Sequence, residues 1–569
     1  MDEISTNDIQ VGKPISDLEG KPKIAYFSME IGIDEHIPTY SGGLGVLAGD
    51  TIKSCADLNV PLVGVTLLSE KGYFYQKLDK DGNQRELPIN FSVSDFLKLL
   101  PKKTSIKIED RDVIIQVWLY QYKGLNGYII PVFFLDSNID GNDNWDRNLT
   151  KYLYGGDKRY RLAQEIILGI GGVRILKELG YDTIDKYHMN EGHAALGTLE
   201  LYKELNDVDK VRDQCVFTTH TPVAAGHDQF DLSEAKHMIG DLLPDSIINK
   251  IQFENRLNMT RLALYFSHYV NGVAKKHKEV SEQMFPGYSI DSITNGVHSS
   301  TWVSKPFQRL YDKHIPGWKS DPYMLRSAFS INKDEVWKTH LEVKKILIDF
   351  VNDRYNVGMN YNDFTIGFAR RQTEYKRPEL LISDPDKLKN IAKKVGPIQI
   401  IYSGKAHPND ETGKKSIKKI FDIMKSIDNS VKIAFIHNYN ITIGKMITAG
   451  VDLWLNTPRR PMEASGTSGM KAAHNGVPQF GTLDGWWIEG CIENITGWSI
   501  GPEKTQDDVS DDVIDRNELY NKLESWIIPK YYNDRENWIR TMRSCIAINA
   551  SFFNTNRMVQ QYVLNAYFI

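Results

Sequence analysis

KIAYFSMEIGIDEHIPTYSGGLGVLAGD, residues 23–50, decides how the chain is read. Lys23–Glu30 is an apolar run of strand length, as a short buried strand requires. The loop Tyr40–Asp50 is rich in glycine, and a helical pattern follows it. Strands that alternate with helices argue for parallel sheets with helices on both faces, and such sheets place ligands beyond the carboxyl ends of their strands.

The pattern recurs outward from that stretch. Tyr73–Leu78 enters a hairpin turn at Asp79–Asn83, and Val113–Tyr122 and Tyr128–Leu135 are strand-like runs split by Gly124–Gly127. Arg159–Leu179 has helical spacing and stops at Gly180. Lys186–Met189 and Cys215–Thr218 are strands that run into the polar segments HMNEGH (188–193) and TTHTP (218–222). In the second half, Phe364–Ala369, Ile398–Tyr402, Lys432–Ile436 and Asp452–Asn456 are strands ending at Arg370-Arg371, Gly404-Lys405, Asn438-Tyr439 and the loop Thr457–Gly469, with helices such as Ser416–Ile427 between them. Two α/β domains facing each other would make a cleft. Pro, Gly and Trp mix near Ser299–Trp318, so the division is placed there. The expected domains are a lead-in at 1–22, an N-terminal domain at 23–303, a C-terminal domain at 304–540, and a helical segment at 541–569 that packs back on the first domain.

At 569 residues the chain is too long for one ordinary core. Hydrophobic residues at 41% and charged residues at 25% are those of a globular protein, and a net charge of −4 excludes an electrostatic footprint for nucleic acid or an anionic membrane. Cys55, Cys215, Cys491 and Cys545 are too scattered for a disulfide framework or a zinc site. The N-terminus carries no secretion signal and no apolar run spans a bilayer, so a cytoplasmic chain is expected.

Three constellations carry chemistry. In EASGTSGMKAAHNG, residues 463–476, small and hydroxyl residues precede a helix whose first N–H groups suit a phosphate, and Lys471 beside them suits a Schiff base with pyridoxal phosphate; a capped helix with a solvated lysine is the plainer alternative. RRQTEYKR, residues 370–377, sets four cations at the end of a buried strand, as phosphate binding needs, or forms a solvated basic loop. YSGGLGVLAGD, residues 40–50, either offers N–H groups to an oxyanion or is a tight connection. His188, Glu191 and His193 have a zinc-like composition without a zinc-like spacing, so no metal is expected.

Taken in order, these segments resemble the α-glucan (glycogen, starch, maltodextrin) phosphorylases. Residues 463–489 resemble that family's cofactor segment, and the likeness extends to RRQTEYKR, Ser41–Gly49, SHYVNGV (267–273), TNGVHSSTW (294–302) and GKAHP (404–408). The resemblance implies two Rossmann-like domains facing across a cleft, the GT-B glycosyltransferase architecture. It implies retaining phosphorolysis of an α-1,4-glucan or maltodextrin by inorganic phosphate to glucose-1-phosphate, with the 5′-phosphate of pyridoxal phosphate relaying a proton. By position it implies that Arg371 and Lys376 bind the substrate phosphate and that His220 stands beside the reacting sugar, all three in catalytic roles. It assigns the cofactor to Lys471, Arg370, Thr467, Ser468 and Tyr439, and the substrate to Gly42, Gly43, Asn295, Glu463 and Gly466. It allows a homodimer.

The chain departs from the family at Arg370, commonly lysine there, at Thr-Ser-Gly-Met-Lys in place of Thr-Gly-Asn-Met-Lys, and at Asn440, where many members have arginine. No counterpart of the long N-terminal regulatory extension is read, so control through that element is not expected. The competing readings are a nucleotide-sugar glucosyltransferase of the glycogen or starch synthase kind, a pyridoxal enzyme acting on amino acids, and a non-catalytic glucan-binding protein. In the last of these Tyr73, Trp486 and Trp487 would stack on sugars.

Overall fold

The computed structural model describes residues 23–427, 430–501 and 512–568; the lead-in expected at 1–22 lies outside them. The strands of the first half, in chain order, are β1 Ile24–Ser28, β2 Leu62–Leu67, β3 Tyr75–Leu78, β4 Gln84–Leu87, β5 Lys98–Ile108, β6 Arg111–Lys123, β7 Ile129–Asp136, β8 Lys186–Asn190, β9 Cys215–Thr218, β10 Gln229–Asp231, β11 Arg256–Asn258, β12 Tyr269–Gly272 and β13 Asp291–Ser292. Those of the second half are β14 Phe364–Ala369, β15 Ile398–Ser403, β16 Val431–Ile436, β17 Leu453–Asn456, β18 Gln479–Thr482 and β19 Gly497–Ile500.

The strands of the second half form one parallel sheet in the order β16-β15-β14-β17-β18-β19. Counted from β14, that is the 3-2-1-4-5-6 order of a doubly wound sheet. The first sheet runs β13-β12-β9-β8-β1-β2-β7-β6-β5, and its parallel strands wind outward from β1 in the same way. Both chain halves are therefore α/β.

Successive residues of a strand face opposite sides of its sheet, so a doubly wound strand feeds two cores. Ala25 and Phe27 join one cluster and Ile24 and Tyr26 another. Ile366 and Phe368 join one core of the second sheet, while Ala369 joins the other with Ile401, Ala434 and Trp454. This two-sided burial explains why these strands read as unbroken apolar runs.

The expectation of parallel sheets needs one correction. β6 pairs antiparallel with both β5 and β7. β5 folds back on β6 through the two-residue link Glu109-Asp110, at φ 52° and 62°, and β6 folds back on β7 through the loop after Lys123, where Gly124 N donates to the Tyr128 carbonyl at 2.8 Å. Glu109-Asp110 holds neither Asn nor Gly, the residues that mark a two-residue hairpin turn most strongly in a sequence.

The helical stretch read at Arg159–Leu179 is Lys158–Ile166, a π-helical passage Ile167–Gly171, and Gly172–Glu178. Trp538, Met542 and Ile546 pack in the core of the second sheet. Met558, Tyr562 and Tyr567 pack in the core of the first, where Ser54 Oγ meets Thr555 Oγ1 at 2.6 Å. Among the described residues no helix is long and apolar enough to cross a membrane.

Candidate active site

In the second sheet the chain winds outward in opposite directions from β14 and β17, so their following loops part and leave a crevice. Those loops are the cation-rich segment from Arg370 and the segment Thr457–Gly469. Arg370 is buried; its guanidinium donates to Asn456 Oδ1 at the end of β17 and lies 2.8 Å from Glu463 Oε2. Lys376 Nζ lies 2.7 Å from the same oxygen. Burial works against the charge on Glu463, but Arg370 and Lys376 outweigh it and hold its pKa at about 2. Asp484, at the end of β18, accepts the Glu463 N–H at 2.8 Å. Burial pushes the Asp484 pKa up to about 7, and the two N–H bonds it accepts oppose that rise.

The four cations of 370–377 are not equivalent. Arg377 donates to the carbonyls of Thr457 and Pro458 and pairs with Asp512 at 2.9 Å and Asp515 at 2.7 Å, so its charge is spent on holding the loop. Arg371 makes no side-chain hydrogen bond or ion pair among the described residues. It is accessible to solvent, yet ringed by protein. Enclosure disfavours its charge; Tyr375, Tyr73, Glu30 and Tyr154 favour it and win, so its pKa is raised.

Lys471 sits in the short helix Ser468–Ala473, which Thr467 precedes. Gly469 is dictated by close approach, since a Cβ there would lie 1.6 Å from Gln479 Oε1. Lys471 is buried, and its Nζ lies 3.8 Å over the Trp302 ring. Trp302 is fixed in turn by its indole N–H, which donates to Asp50 at 2.7 Å. Nζ makes no hydrogen bond or ion pair among the described residues. Burial lowers its pKa to about 8, partly opposed by Asp50 and assisted by Arg370. Ser468 Oγ accepts from the Trp454 indole at 3.1 Å, whereas the Thr467 hydroxyl has no partner among the described residues. Gly466 has φ 83°, and a Cβ there would press on Glu463 at 3.2 Å. Tyr439 is half-buried with its pKa raised to about 12 by burial and Tyr40, against Arg370. Asn440 caps the helix Ile441–Gly450, its Oδ1 accepting from Ile443 N at 2.9 Å.

The first sheet contributes the ends of β1, β8, β9 and β13. The glycine-rich loop after β1 does hold an oxyanion, but that anion is a side chain of the protein. Glu30 accepts the N–H groups of Ser41 and Gly42 together with the Tyr154 hydroxyl at 2.9 Å. Gly45 leaves room for that carboxylate, and Gly49 lets the Gly32 backbone approach, each at a place where a Cβ would collide. At Gly42 and Gly43 a Cβ would meet nothing within 4 Å. The sequence reading missed Glu30, a carboxylate inside a buried run directly before a glycine loop. His220 Nε2 lies 2.6 Å from Asn190 Oδ1, and its backbone N–H donates to Glu191 Oε2 at 2.8 Å. Burial lowers the His220 pKa to about 3, so the ring is neutral. Asn295 is buried, and its Oδ1 lacks a partner among the described residues.

Two alternatives drawn from the sequence are corrected. Both ring nitrogens of His188 are engaged, with Tyr567 at 2.7 Å and Thr218 at 2.8 Å, which removes it from the zinc reading. Trp486 and Trp487 are fully buried against Val297, Met470 and Phe553, so neither stacks on a sugar.

A family model described as carbohydrate phosphorylase matches residues 227–497. Maltodextrin phosphorylase of Thermococcus litoralis is 37% identical over 95% of this chain and 70% of its own length. The chain belongs to the carbohydrate phosphorylase family. Glycogen phosphorylases of Aquifex aeolicus and Mycobacterium tuberculosis are each 34% identical over 96% of the chain, covering 86% and 70% of those proteins. Phosphorylases of this family generally depend on pyridoxal phosphate.

Proposed function

We propose that the chain is an α-1,4-glucan phosphorylase, transferring a terminal glucosyl unit from glucan to inorganic phosphate with retention. The observation that carries this reading is the position of Arg370. Its charge is paired to Glu463 and felt by both Lys471 and Tyr439, so the anion-binding loop and the buried amine share one site. A nucleotide-sugar glucosyltransferase has no use for that amine.

The residues present fit pyridoxal phosphate. Lys471 offers an unpartnered, partly neutral amine; Thr467 offers a free hydroxyl at a helix start; Gly42 and Gly43 leave open space. Lys471 would hold the cofactor, with Arg370, Thr467, Ser468 and Tyr439 around it. When bound, the cofactor supplies a phosphate whose second pKa near 6 suits proton exchange with the substrate phosphate.

Arg371 has an uncommitted guanidinium, and with Lys376 it holds the substrate phosphate beside the scissile bond. That phosphate protonates the glycosidic oxygen as the bond breaks, then attacks the same face of the glucosyl centre. Asn295 Oδ1, Glu463 and Gly466 hold the glucosyl hydroxyls, and Asn295 then gains the partner it lacks. Neutral His220 contributes hydrogen bonding to that sugar without adding a positive charge to the oxocarbenium-like centre. In this reading the two sheets face one another across a cleft. Tyr40 of the first half accepts from Ile441 N of the second at 3.1 Å, and Gln76 and Asn438 exchange bonds at 2.9 and 3.0 Å.

The test is glucose-1-phosphate formation from maltoheptaose and inorganic phosphate, before and after borohydride reduction of the cofactor-loaded protein. Phosphate-dependent product that survives reduction is expected. Loss of activity on reduction overturns the role given to the cofactor phosphate, and absence of product overturns phosphorolysis.

A further inference from the structure

The hairpin β3–β4 belongs to the first half of the chain but is bonded to the second. Gln76 Nε2 donates to the Gly404 carbonyl at 2.9 Å, Gln84 Nε2 donates to the Ala406 carbonyl at 2.9 Å, and Ala406 N donates back to Gln84 Oε1 at 3.0 Å. Lys405 Nζ donates to the Phe74 carbonyl at 2.7 Å. These bonds fix the residue at the hairpin's entrance, Tyr73, against the loop that follows β15. The Tyr73 and His407 rings lie 6.1 Å apart at 45°.

Both rings are only half-buried. The Tyr73 hydroxyl has no partner among the described residues. His407 Nδ1 accepts from Asn409 N at 3.1 Å, and its Nε2 has no partner among the described residues. Both side chains lie close enough to Arg371 to feel its charge, with Glu86 and Asp410 also facing each of them. Burial keeps the phenol protonated and the imidazole neutral; Arg371 works against the first and with the second.

Two uncharged aromatic groups with free polar atoms, beside an uncommitted guanidinium, have the chemistry of a sugar platform: a flat apolar face for a pyranose ring and hydrogen bonds for its hydroxyls. Their location decides which sugar. Glu463 and Asn295 are buried, so the glucosyl unit assigned to them is the enclosed end of the chain. The rest of a glucan has to continue toward solvent, past the phosphate site and across the accessible side on which Tyr73 and His407 stand.

We propose that Tyr73 and His407 form the platform for the leaving-group end of the glucan, the sugars beyond the scissile bond. This rests on the phosphorylase reading of the same site. The test uses cofactor-loaded wild type with Tyr73→Ala, Tyr73→Phe and His407→Ala, measuring maltoheptaose affinity by titration calorimetry and the KM values for maltoheptaose and phosphate. Tyr73→Ala is expected to weaken maltoheptaose binding and raise its KM by about tenfold, with Tyr73→Phe recovering most of the loss and the phosphate KM unchanged. Maltoheptaose affinity within about twofold of wild type in both alanine variants, or an equal rise in the two KM values, overturns the platform. Wild type that forms no glucose-1-phosphate sinks the phosphorylase reading instead, and a loss of affinity in Tyr73→Ala still upholds the glucan platform.

Discussion

Glu463→Gln tests the electrostatics of the site most directly. In wild type one carboxylate oxygen stands 2.8 Å from Arg370 and 2.7 Å from Lys376, all three groups being buried. Breaking a buried pair by removing one partner costs ~3–5 kcal/mol, and glutamine, which keeps an acceptor oxygen, belongs at the lower end. The pKa gives a second route to the magnitude. Its fall from 4.5 to about 2 corresponds to ~3 kcal/mol. The two agree, and for a unit of this size ~3 kcal/mol lowers the apparent Tm by about 6–12 °C. In the proposed function the substitution also removes the anion that competes with the substrate phosphate for Lys376. Inorganic phosphate should therefore raise the Tm of the variant more than that of wild type, up to ~2.7 kcal/mol of stabilisation at a hundredfold excess over its Kd. The assay is thermal unfolding of both proteins across a phosphate series at constant ionic strength. A variant Tm within about 1 °C of wild type without phosphate, or equal phosphate shifts in both, refutes the reasoning.

Arg371→Ala removes no protein partner, so the Tm should hold while kcat/KM for phosphate falls by the equivalent of ~2–4 kcal/mol of lost transition-state stabilisation; a lowered Tm with normal phosphate kinetics places the residue elsewhere. Lys471→Ala should not retain cofactor, seen as absent near-ultraviolet absorbance after incubation with pyridoxal phosphate and dialysis into cofactor-free buffer. In the apoprotein, loading should accelerate as pH rises through about 8, where the buried amine loses its proton; a pH-independent rate contradicts the lowered pKa. Because the Glu463 pKa is depressed on folding, its contribution to stability is complete above its unfolded value of 4.5 and is lost as pH falls toward about 2. Glu463→Gln should therefore flatten the acid limb of the stability profile between those values. Asn440→Ala should cost ~1 kcal/mol through loss of the helix cap, measured as a lowered denaturation midpoint.

The sequence was informative where the physics is local. Strands buried on both faces show as apolar runs, and the polar residues that end them fall at carboxyl ends whatever the strand order. Arg370, Arg371, His220 and Tyr439 were legible in that way. The turn at Glu109-Asp110 was not, because neither Asn nor Gly marks its two positive-φ positions, so the antiparallel pairing of β5 with β6 was missed. Trp486 and Trp487 have the residue type of a sugar platform, and only their burial against Phe553 and Met470 shows them to be core.

What sequence spacing does not convey is which charges remain uncommitted. RRQTEYKR reads as a cluster of cations, and their fates are set by residues far along the chain. Lys376 is answered by Glu463, 87 positions away, and Arg377 by Asp515, 138 positions away. Both partners arrive because the doubly wound order brings the segments after β14 and β17 together and lays the helix Asp512–Lys522 beside them. Glu30 does the same in the first half, taking the loop N–H groups that composition alone would assign to a ligand. The topology thus reduces a nominally strong anion site to one guanidinium without a partner among the described residues and one carboxylate shared between two cations. In the proposed function a phosphate held by Arg371 and Lys376 would not be released prohibitively slowly, because Glu463 remains in place to compete for Lys376 as product leaves. Glu463→Gln should therefore slow product release while it strengthens phosphate binding, which sets its kinetic signature apart from that of Arg371→Ala.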